Sequence, residues 1–205
     1  MTVGVILAGG RARRMGGGDK CLLDLAGRPI LAHVIERLRP QVDRLAINAN
    51  GDANRFRGFG APVLPDSVPG YPGPLAGVLA GLDWAAASGA QSVVSVAADT
   101  PFFPETLVEG LQIAADSKGV GLAMAASRER SGAKVRHPTF ALWPVALRDD
   151  LRQALGAGVR KVVHWTGPHG CAEACFGSCG SDMFFNVNTP GDLDVAQELV
   201  RAGVA

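Results

Sequence analysis

The sequence lacks an excess of charge of either sign, because 20 Lys and Arg residues are balanced by 19 Asp and Glu residues to a formal net charge of +1. General nucleic-acid binding and membrane-surface binding both depend on a surplus of cations, so neither is expected as the main role. Long apolar runs are also missing: the best candidate, residues 75–87, contains Asp83 and is shorter than the roughly 18 residues of a membrane span. The N-terminal apolar run has no basic start of a signal peptide and ends at Gly9. We therefore expect a cytoplasmic protein that binds neither nucleic acid nor membrane.

Cysteine is scarce, with four residues in 205. Cys21 stands alone, whereas Cys171, Cys175 and Cys179 are spaced four apart. This is no disulfide framework, and it fits a reducing compartment. Three thiols at this spacing could hold a metal on a helix, but the intervening glycines oppose a helix and the spacing matches no common zinc or iron–sulfur pattern. We expect a surface loop there and assign no metal to it.

Two common nucleotide-binding motifs are absent. The Walker motif requires Gly-Lys followed by Ser or Thr, and the chain contains no Gly-Lys pair. The dinucleotide fingerprint G-x-G-x-x-G does not occur either. These absences disfavour a P-loop kinase and a Rossmann dehydrogenase.

Short apolar runs alternate along the chain with segments of helical periodicity. Strands are predicted at residues 3–8, 45–49, 63–64, 92–98, 121–126, 138–142 and 184–187. Helices are predicted at residues 30–38, 75–88, 104–115, 146–155, 159–165 and from 190 onward. The alternation indicates an α/β fold: a doubly wound, mainly parallel sheet with helices on both faces, a three-layer αβα arrangement in one domain over residues 1–205. Ligands of such folds bind at the carboxyl ends of the strands.

The loop after the first predicted strand, residues 9–20, is the strongest ligand-binding candidate, and we call it the glycine-rich loop. It carries five glycines and four cations, Arg14 and Lys20 among them. Glycines allow successive backbone N–H groups to point at an anion, and Arg and Lys add charge that phosphate oxygens bind. A flexible surface turn is the alternative, but the position directly after a buried strand favours a polyphosphate site.

Polar side chains follow three other predicted strands at the same edge. Asp99 ends the 92–98 strand, where a carboxylate can hold Mg²⁺ beside substrate phosphates, although Asp-Thr-Pro is also good turn material. Asn48 and Asp66 lie at the ends of the second and third predicted strands, residues 45–49 and 63–64, where they could contact a nucleoside. A carboxylate such as Asp66 matches the N1–H and N2–H₂ donors of guanine, and it could equally accept from ribose hydroxyls.

These residues lie in a series of short motifs. The first motif is Leu7-Ala8-Gly9-Gly10 followed by Arg14-Met15-Gly16-Gly17 and Asp19-Lys20. The others are Asn48-Ala49-Asn50, Pro65-Asp66-Ser67, Pro72 to Gly77, Asp99-Thr100-Pro101, Arg136 to Thr139 and Asn186 to Pro190. In content and order, the series resembles the molybdenum cofactor guanylyltransferases, a family of nucleotidyltransferases with a Rossmann-like fold.

The resemblance implies transfer of GMP from GTP to the terminal phosphate of molybdopterin carrying molybdenum, which yields a guanine dinucleotide cofactor and pyrophosphate. It implies a nucleotide-binding N-terminal half and a pterin-binding C-terminal half, and transient contact with molybdenum-insertion proteins. The implied GTP-binding residues are Leu7, Ala8, Gly9, Lys20, Asn48, Asp66 and Asp99. The implied catalytic residues are Arg14, Lys20 and Asp99, with Mg²⁺ on Asp99, while Asn186 and Asn188 would help to place the pterin substrate or the metal.

Three alternatives stay open at this stage. A cytidylyltransferase on the same cofactor and a sugar-phosphate nucleotidyltransferase would share the loop, and a non-catalytic cofactor-delivery module would share the fold. The carboxylate of Asp66 favours guanine over cytosine, and the presence of both Lys20 and Asp99 favours an enzyme. His137 is expected to have a structural or substrate-positioning role, because attack by a phosphate needs little proton transfer.

Overall fold

The computed structural model of the chain describes residues 1–9, 19–70, 73–129, 131–177 and 183–203. The strands are β1 (Thr2–Leu7), β2 (Asp24–Leu25), β3 (Arg28–Pro29), β4 (Arg44–Asn48), β5 (Val63–Leu64), β6 (Ser92–Ala97), β7 (Ala123–Arg128), β8 (Lys134–Pro144) and β9 (Ala172–Cys175). The helices are α1 (Ile30–Leu38), α2 (Pro74–Ala87), α3 (Leu107–Lys118), α4 (Arg148–Gly156), α5 (Val162–Thr166) and α6 (Pro190–Arg201). Short 3-10 helices cover Lys20–Leu22, Arg39–Gln41, Ala53–Phe59 and Val145–Leu147.

A seven-stranded sheet forms the centre of the fold, in the order β5-β4-β1-β6-β8-β7-β9. All of its strands run in the same direction except β8, which is antiparallel to both β6 and β7. At the end of β1, Leu7 pairs with Asn48 on one side and with Ala97 on the other. The carboxyl ends of β4, β1 and β6 are therefore level at one edge of the sheet.

Helices cover both faces of the sheet, as the alternation predicted. Apolar residues of α1 and α3, such as Val34 and Leu111, pack on one face in a core cluster that includes Ile6 and Val96. Residues of α2, α4 and α5 pack on the other face with Val5, Val93 and Trp143. The predicted three-layer α/β fold is thus confirmed. Within the described residues, none of the helices combines the length and apolar character needed to cross a membrane.

A smaller cluster joins α6 to the hairpin of β2 and β3. Leu25, Ile30, Phe102, Val187 and Ala196 are buried together there. This packing brings the chain just before α6 back to the carboxyl end of β6, where the backbone N–H of Val187 donates to the carbonyl of Asp99 at 2.9 Å. The last part of the chain is therefore anchored at the edge of the sheet where ligands were expected.

Two local predictions are wrong. Residues 184–187 do not form a strand. Phe184 packs on the rings of His137 and Phe140, whereas Val187 packs under α6, so the apolar residues of this segment belong to two different clusters. The cysteine-rich segment is not only a loop, because Ala172–Cys175 pairs with β7 as the parallel edge strand β9. The predicted helix at 104–115 begins and ends three residues later than expected, at Leu107–Lys118.

Candidate active site

A cleft of about 920 Å³ opens at the carboxyl ends of the parallel strands. Eight of the residues predicted from the sequence line it: Leu7, Ala8, Gly9, Lys20, Asn48, Asp66, Asp99 and Asn186. Asn188 touches the same site through a hydrogen bond to Lys20. The described part of the chain therefore brings together residues that are up to about 180 positions apart in the sequence. Arg14 lies outside the described residues, as does the glycine-rich loop from 10 to 18.

Asp66 is held at one side of the cleft by two amide side chains. The Nδ2 group of Asn48 donates to Asp66 Oδ1 at 3.0 Å and to the carbonyl of Leu64 at 3.1 Å. The Nδ2 group of Asn50 donates to Asp66 Oδ2 at 2.8 Å, and Asn50 Oδ1 accepts from the backbone N–H of Asp66 at 2.9 Å. Each carboxylate oxygen keeps a further lone pair for a ligand. Because both donors are neutral amides, they fix Asp66 in place without offsetting its negative charge.

The position of Asn48 depends on Gly77 of α2, which lies behind it and does not line the cleft. Asn48 is only 3% exposed, and its side chain lies against α2 at Gly77. A Cβ atom at Gly77 would lie 2.1 Å from Asn48 Oδ1 and 2.8 Å from Leu7 Cδ2. Since such distances are far below van der Waals contact, any larger residue at 77 would displace Asn48 and with it the support of Asp66.

Lys20 and Asp99 form the other side of the cleft. Lys20 Nζ lies 2.5 Å from Asp99 Oδ2 and donates to Asn188 Oδ1 at 2.6 Å. The Lys20 and Asp99 side chains are 16% and 22% exposed, so both are reachable from the cleft but mostly shielded from solvent. An ammonium group has three N–H donors, and two of them are accounted for here. Lys20 therefore has a donor left for a ligand phosphate.

The segment that carries Asn188 is fixed by the N-terminus of α6. Thr189 caps the helix by accepting from the backbone N–H of Asp192 at 3.2 Å. Asp192 Oδ2 in return accepts from the backbone N–H groups of Asn188 and Thr189 at 2.9 and 2.8 Å. This capping box fixes the backbone of Asn188, whose side chain accepts from Lys20.

Neither His137 nor Cys21 is suited to proton transfer in this site. His137 stacks on Phe184 at a ring distance of 4.0 Å and bonds to Ser127 Oγ at 2.8 Å. Burial lowers the pKa of His137 to about 4, which keeps the ring neutral at physiological pH. Cys21 lines the cleft, but burial and the nearby Asp19 charge raise the pKa of its thiol to about 12. Its thiolate, the reactive form, is therefore essentially unpopulated.

Cys171 and Cys175 are not among the residues that line this cleft. Cys171 is partly buried and Cys175 is exposed, and both are free thiols at the two ends of β9. Cys179 falls outside the described residues. Among the residues that are described, no group of three or more His, Cys, Asp or Glu side chains could hold a metal ion. The expectation from the sequence that this segment holds no metal stays a prediction.

Sequence reasoning missed two residues at the rim of the cleft. Asp19 and Arg55 form an ion pair in which Arg55 Nε lies 2.5 Å from Asp19 Oδ2. Asp19 stands in a recognised motif but had no assigned role, and Arg55 lies in the 3-10 helix after β4 that was not predicted. No local pattern could have linked them, because their contact depends on the return of the chain from β4.

The profile of the MobA-like NTP transferase domain matches residues 4–170. The chain belongs to this family. Among curated relatives, a molybdenum cofactor guanylyltransferase of Rhodopseudomonas palustris (strain BisB5) is 51% identical over 201 residues, 97% of this chain and 93% of that protein. A protein of the same name from Bradyrhizobium sp. (strain ORS 278) is 50% identical over 199 residues, 96% of this chain and 92% of the relative.

Solved structures support the fold of a MobA-like transferase. A molybdopterin-guanine dinucleotide biosynthesis protein A from Archaeoglobus fulgidus superposes with a TM-score of 0.72, at 23% identity, over 98% of this chain and 100% of that one. A 4-diphosphocytidyl-2C-methyl-D-erythritol synthase from Anaerococcus prevotii reaches 0.74 at 12% identity, over 98% and 96% of the two chains. Similar backbones thus occur in proteins named for different products, and the side chains of the cleft have to decide the substrate.

Proposed function

We propose that this chain transfers GMP from GTP to the terminal phosphate of molybdenum-molybdopterin, forming molybdopterin guanine dinucleotide and pyrophosphate. The observation that carries the proposal is one cleft with a charged, fixed acceptor at Asp66 on one side and the Lys20–Asp99 pair on the other. The names of relatives about half identical over nearly the whole chain support the same reaction.

The base side of the cleft suits guanine. Guanine presents two neighbouring N–H donor groups, which match the two oxygens of Asp66. Cytosine offers an N4–H₂ donor beside ring acceptors, and a carboxylate would repel those acceptors. Because Asn48 and Asn50 hold Asp66 rigidly, the carboxylate cannot turn away to suit the wrong base. GTP is therefore the expected substrate and CTP is not.

In the proposed reaction, an oxygen of the terminal molybdopterin phosphate attacks the α-phosphorus of GTP. The bond from that phosphorus to the bridging oxygen breaks, and pyrophosphate leaves with the electron pair. The nucleophile is already an anion, so the residues of the cleft need only align the phosphates and offset their charge. Lys20 would donate to a GTP phosphate, and Arg14 of the glycine-rich loop would add a second positive charge.

The donor set at Asp99 fits a magnesium ion. Mg²⁺ binds oxygen ligands and is typically held by one or two carboxylates together with substrate phosphates. Asp99 supplies a carboxylate that is accessible from the cleft, and Asn186 and Asn188 bring amide oxygens to the same side. Asp99 would hold the ion, which would polarise the α-phosphate and offset the charge that develops on pyrophosphate. Asn186 and Asn188 would also help to position the pterin substrate.

The reaction is tested by measuring pyrophosphate release with molybdopterin, GTP and Mg²⁺, with CTP in place of GTP as the parallel assay. We expect turnover with GTP only, and turnover with CTP only would overturn the assignment. Asp99→Asn should lower the rate about a hundredfold or more, since it removes a preorganised charge at the reacting phosphates. Asp116→Asn on α3, an exposed matched change, should leave the rate unaltered. Near-normal turnover by Asp99→Asn would remove Asp99 from the metal site.

The proposal extends to binding and to the cellular setting. Lys20→Met should weaken GTP binding in equilibrium measurements, and an unchanged affinity would remove Lys20 from the phosphate site. We further propose that the enzyme works in the cytoplasm and passes its product to molybdenum-insertion proteins by transient contact. Co-purification of such a protein with product-loaded enzyme would support that step, whereas free release of the product in their presence would contradict it.

A further inference from the structure

Arg55 connects the two sides of the cleft without lining it. It lies in the 3-10 helix Ala53–Phe59 that follows β4. Its Nη2 group donates to the carbonyl of Asn50 at 2.6 Å, and its Nη1 group donates to the carbonyl of Asp52 at 2.9 Å. Its Nε lies 2.5 Å from Asp19 Oδ2. One guanidinium group thus contacts both the loop after β4 and the residue next to Lys20.

The two contacts of Arg55 reach different parts of the site. Asn50 holds Asp66 through two hydrogen bonds, so it belongs to the nucleoside side. Asp19 precedes Lys20, and its carbonyl accepts from the backbone N–H of Leu22 at 2.9 Å at the start of the 3-10 helix Lys20–Leu22. Asp19 therefore helps to fix the start of this 3-10 helix, and with it the position of Lys20 on the phosphate side of the cleft.

The local structure is shaped to hold the guanidinium group in this position. The face of the group lies over the ring of Phe56, with 4.7 Å between Arg55 Cζ and the ring centre, and Phe56 is fully buried. Gly51 has a φ of +84°, and a Cβ there would lie 3.2 Å from Arg55 Nη1. A side chain at 51 would thus be strained and would crowd the guanidinium group. The Arg55 side chain is 26% exposed, so its contacts are partly shielded from solvent.

We propose that Arg55 is a positioning residue that sets the spacing between the nucleoside side and the phosphate side of the cleft. This inference rests on the proposed binding of GTP, which must reach both sides at once. Preorganised spacing raises the affinity for a ligand that spans two sites, but it adds little for a fragment that occupies one. Only arginine presents several donors in a planar fork, so a lysine can satisfy one partner at a time.

The test compares GTP with its two fragments, guanosine and pyrophosphate, by calorimetry or NMR titration. Arg55→Met should lower GTP affinity about tenfold, as expected for the loss of charge-assisted bonds that are partly exposed, and lower the affinity for each fragment less than threefold. Arg55→Lys should recover part of the loss. Arg57→Met, an exposed change in the same 3-10 helix, is the matched control and should bind all three ligands as the wild type does.

A double-mutant cycle identifies the partner. If the ion pair carries the effect, Asp19→Asn added to Arg55→Met should weaken GTP binding no further than Arg55→Met alone. Unchanged GTP affinity in Arg55→Met would overturn the inference. So would an equal loss for guanosine and GTP, which would mean that Arg55 only supports the nucleoside side. If the wild type itself fails to bind GTP, the proposed function falls as well, which separates the two failures.

Discussion

Replacing Gly77 by alanine tests the packing that supports Asp66. The added Cβ would lie 2.1 Å from Asn48 Oδ1, so the buried Asn48 side chain must move. Overpacking of this kind costs about 1–3 kcal/mol. Loss of the Asn48 bonds to Leu64 and Asp66 costs about 1–3 kcal/mol more, whereas alanine favours the helix by about 1 kcal/mol. Central values leave a net loss of about 3 kcal/mol.

Thermal unfolding and GTP titration together measure the effect of Gly77→Ala. For a chain of this size, a loss of about 3 kcal/mol lowers the melting temperature by roughly 6–12 °C. GTP affinity should fall about tenfold or more, because Asp66 loses one of its two side-chain supports. Gly156→Ala, at the end of α4, is the control: nothing lies within 4 Å of the added Cβ, so stability should be unchanged or higher.

Two results would refute this reasoning in different ways. A Gly77→Ala protein with wild-type stability and wild-type GTP affinity would show that Asn48 moves aside without cost, and the packing argument would fail. A protein that is destabilised but binds GTP normally would show that the Asn48–Asp66 pair lies outside the nucleotide site. The proposed base contact at Asp66 would then have to be abandoned.

Two further predictions concern residues around the site. Because the pKa of folded His137 is lowered to about 4, the unfolded chain binds more protons below pH 6.5, so stability should fall between about pH 6.5 and pH 4. Urea unfolding of His137→Gln at several pH values should show a shallower loss, and an equal slope would assign the loss to other groups. Thr189→Ala removes the side-chain cap that accepts from the N–H of Asp192, which should cost about 1 kcal/mol. It should also weaken GTP binding, measured by titration, because Asn188 would be held less firmly against Lys20. Unchanged affinity would show that the cap does not position Asn188 for the Lys20 contact.

The elements that sequence analysis predicted best are those whose apolar residues all face a core. Helix α1 was expected at residues 30–38 and occupies Ile30–Leu38, because Pro29 and Pro40 bracket one amphipathic run. Strand β6 is mainly apolar and is buried along nearly its whole length, and only its last residue was misplaced. Such segments carry their own packing signal.

The elements that were missed owe their form to distant backbone partners. Strand β9 consists of Ala172–Cys175, which contains no β-branched or aromatic residue to signal a strand, and it exists because β7 offers a free edge for pairing. The antiparallel direction of β8 was not predicted either. Strands β7 and β8 extend beyond their apolar parts to Arg128 and Lys134, and these polar ends pair as a hairpin. The predicted strands were too far apart in sequence to indicate a hairpin, whereas the longer observed strands are joined by a short turn.

The candidate site shows the same division at the level of single residues. Positions such as Asp99 and Asp66 could be predicted, because the carboxyl end of a buried strand is a place that the sequence marks. Their partners could not, since the contacts of Lys20 with Asn188 and of Arg55 with Asp19 join segments that are far apart in the chain. The sequence thus indicates which groups are present at the edge of the sheet, while folding decides which of them neutralise one another.

That neutralisation limits what the described residues can do for a triphosphate. Lys20 is paired with Asp99 and Arg55 with Asp19, and Asp66 adds a third carboxylate that only neutral amides contact. At and beside the cleft, these two cations are set against three carboxylates, so the five groups cannot attract a polyphosphate by their net charge. In the proposed reaction, a metal ion and the cations Arg11, Arg13 and Arg14 of the glycine-rich loop would supply the missing positive charge. The role predicted for Arg14 matches this need for positive charge, and GTP binding should weaken as the salt concentration rises.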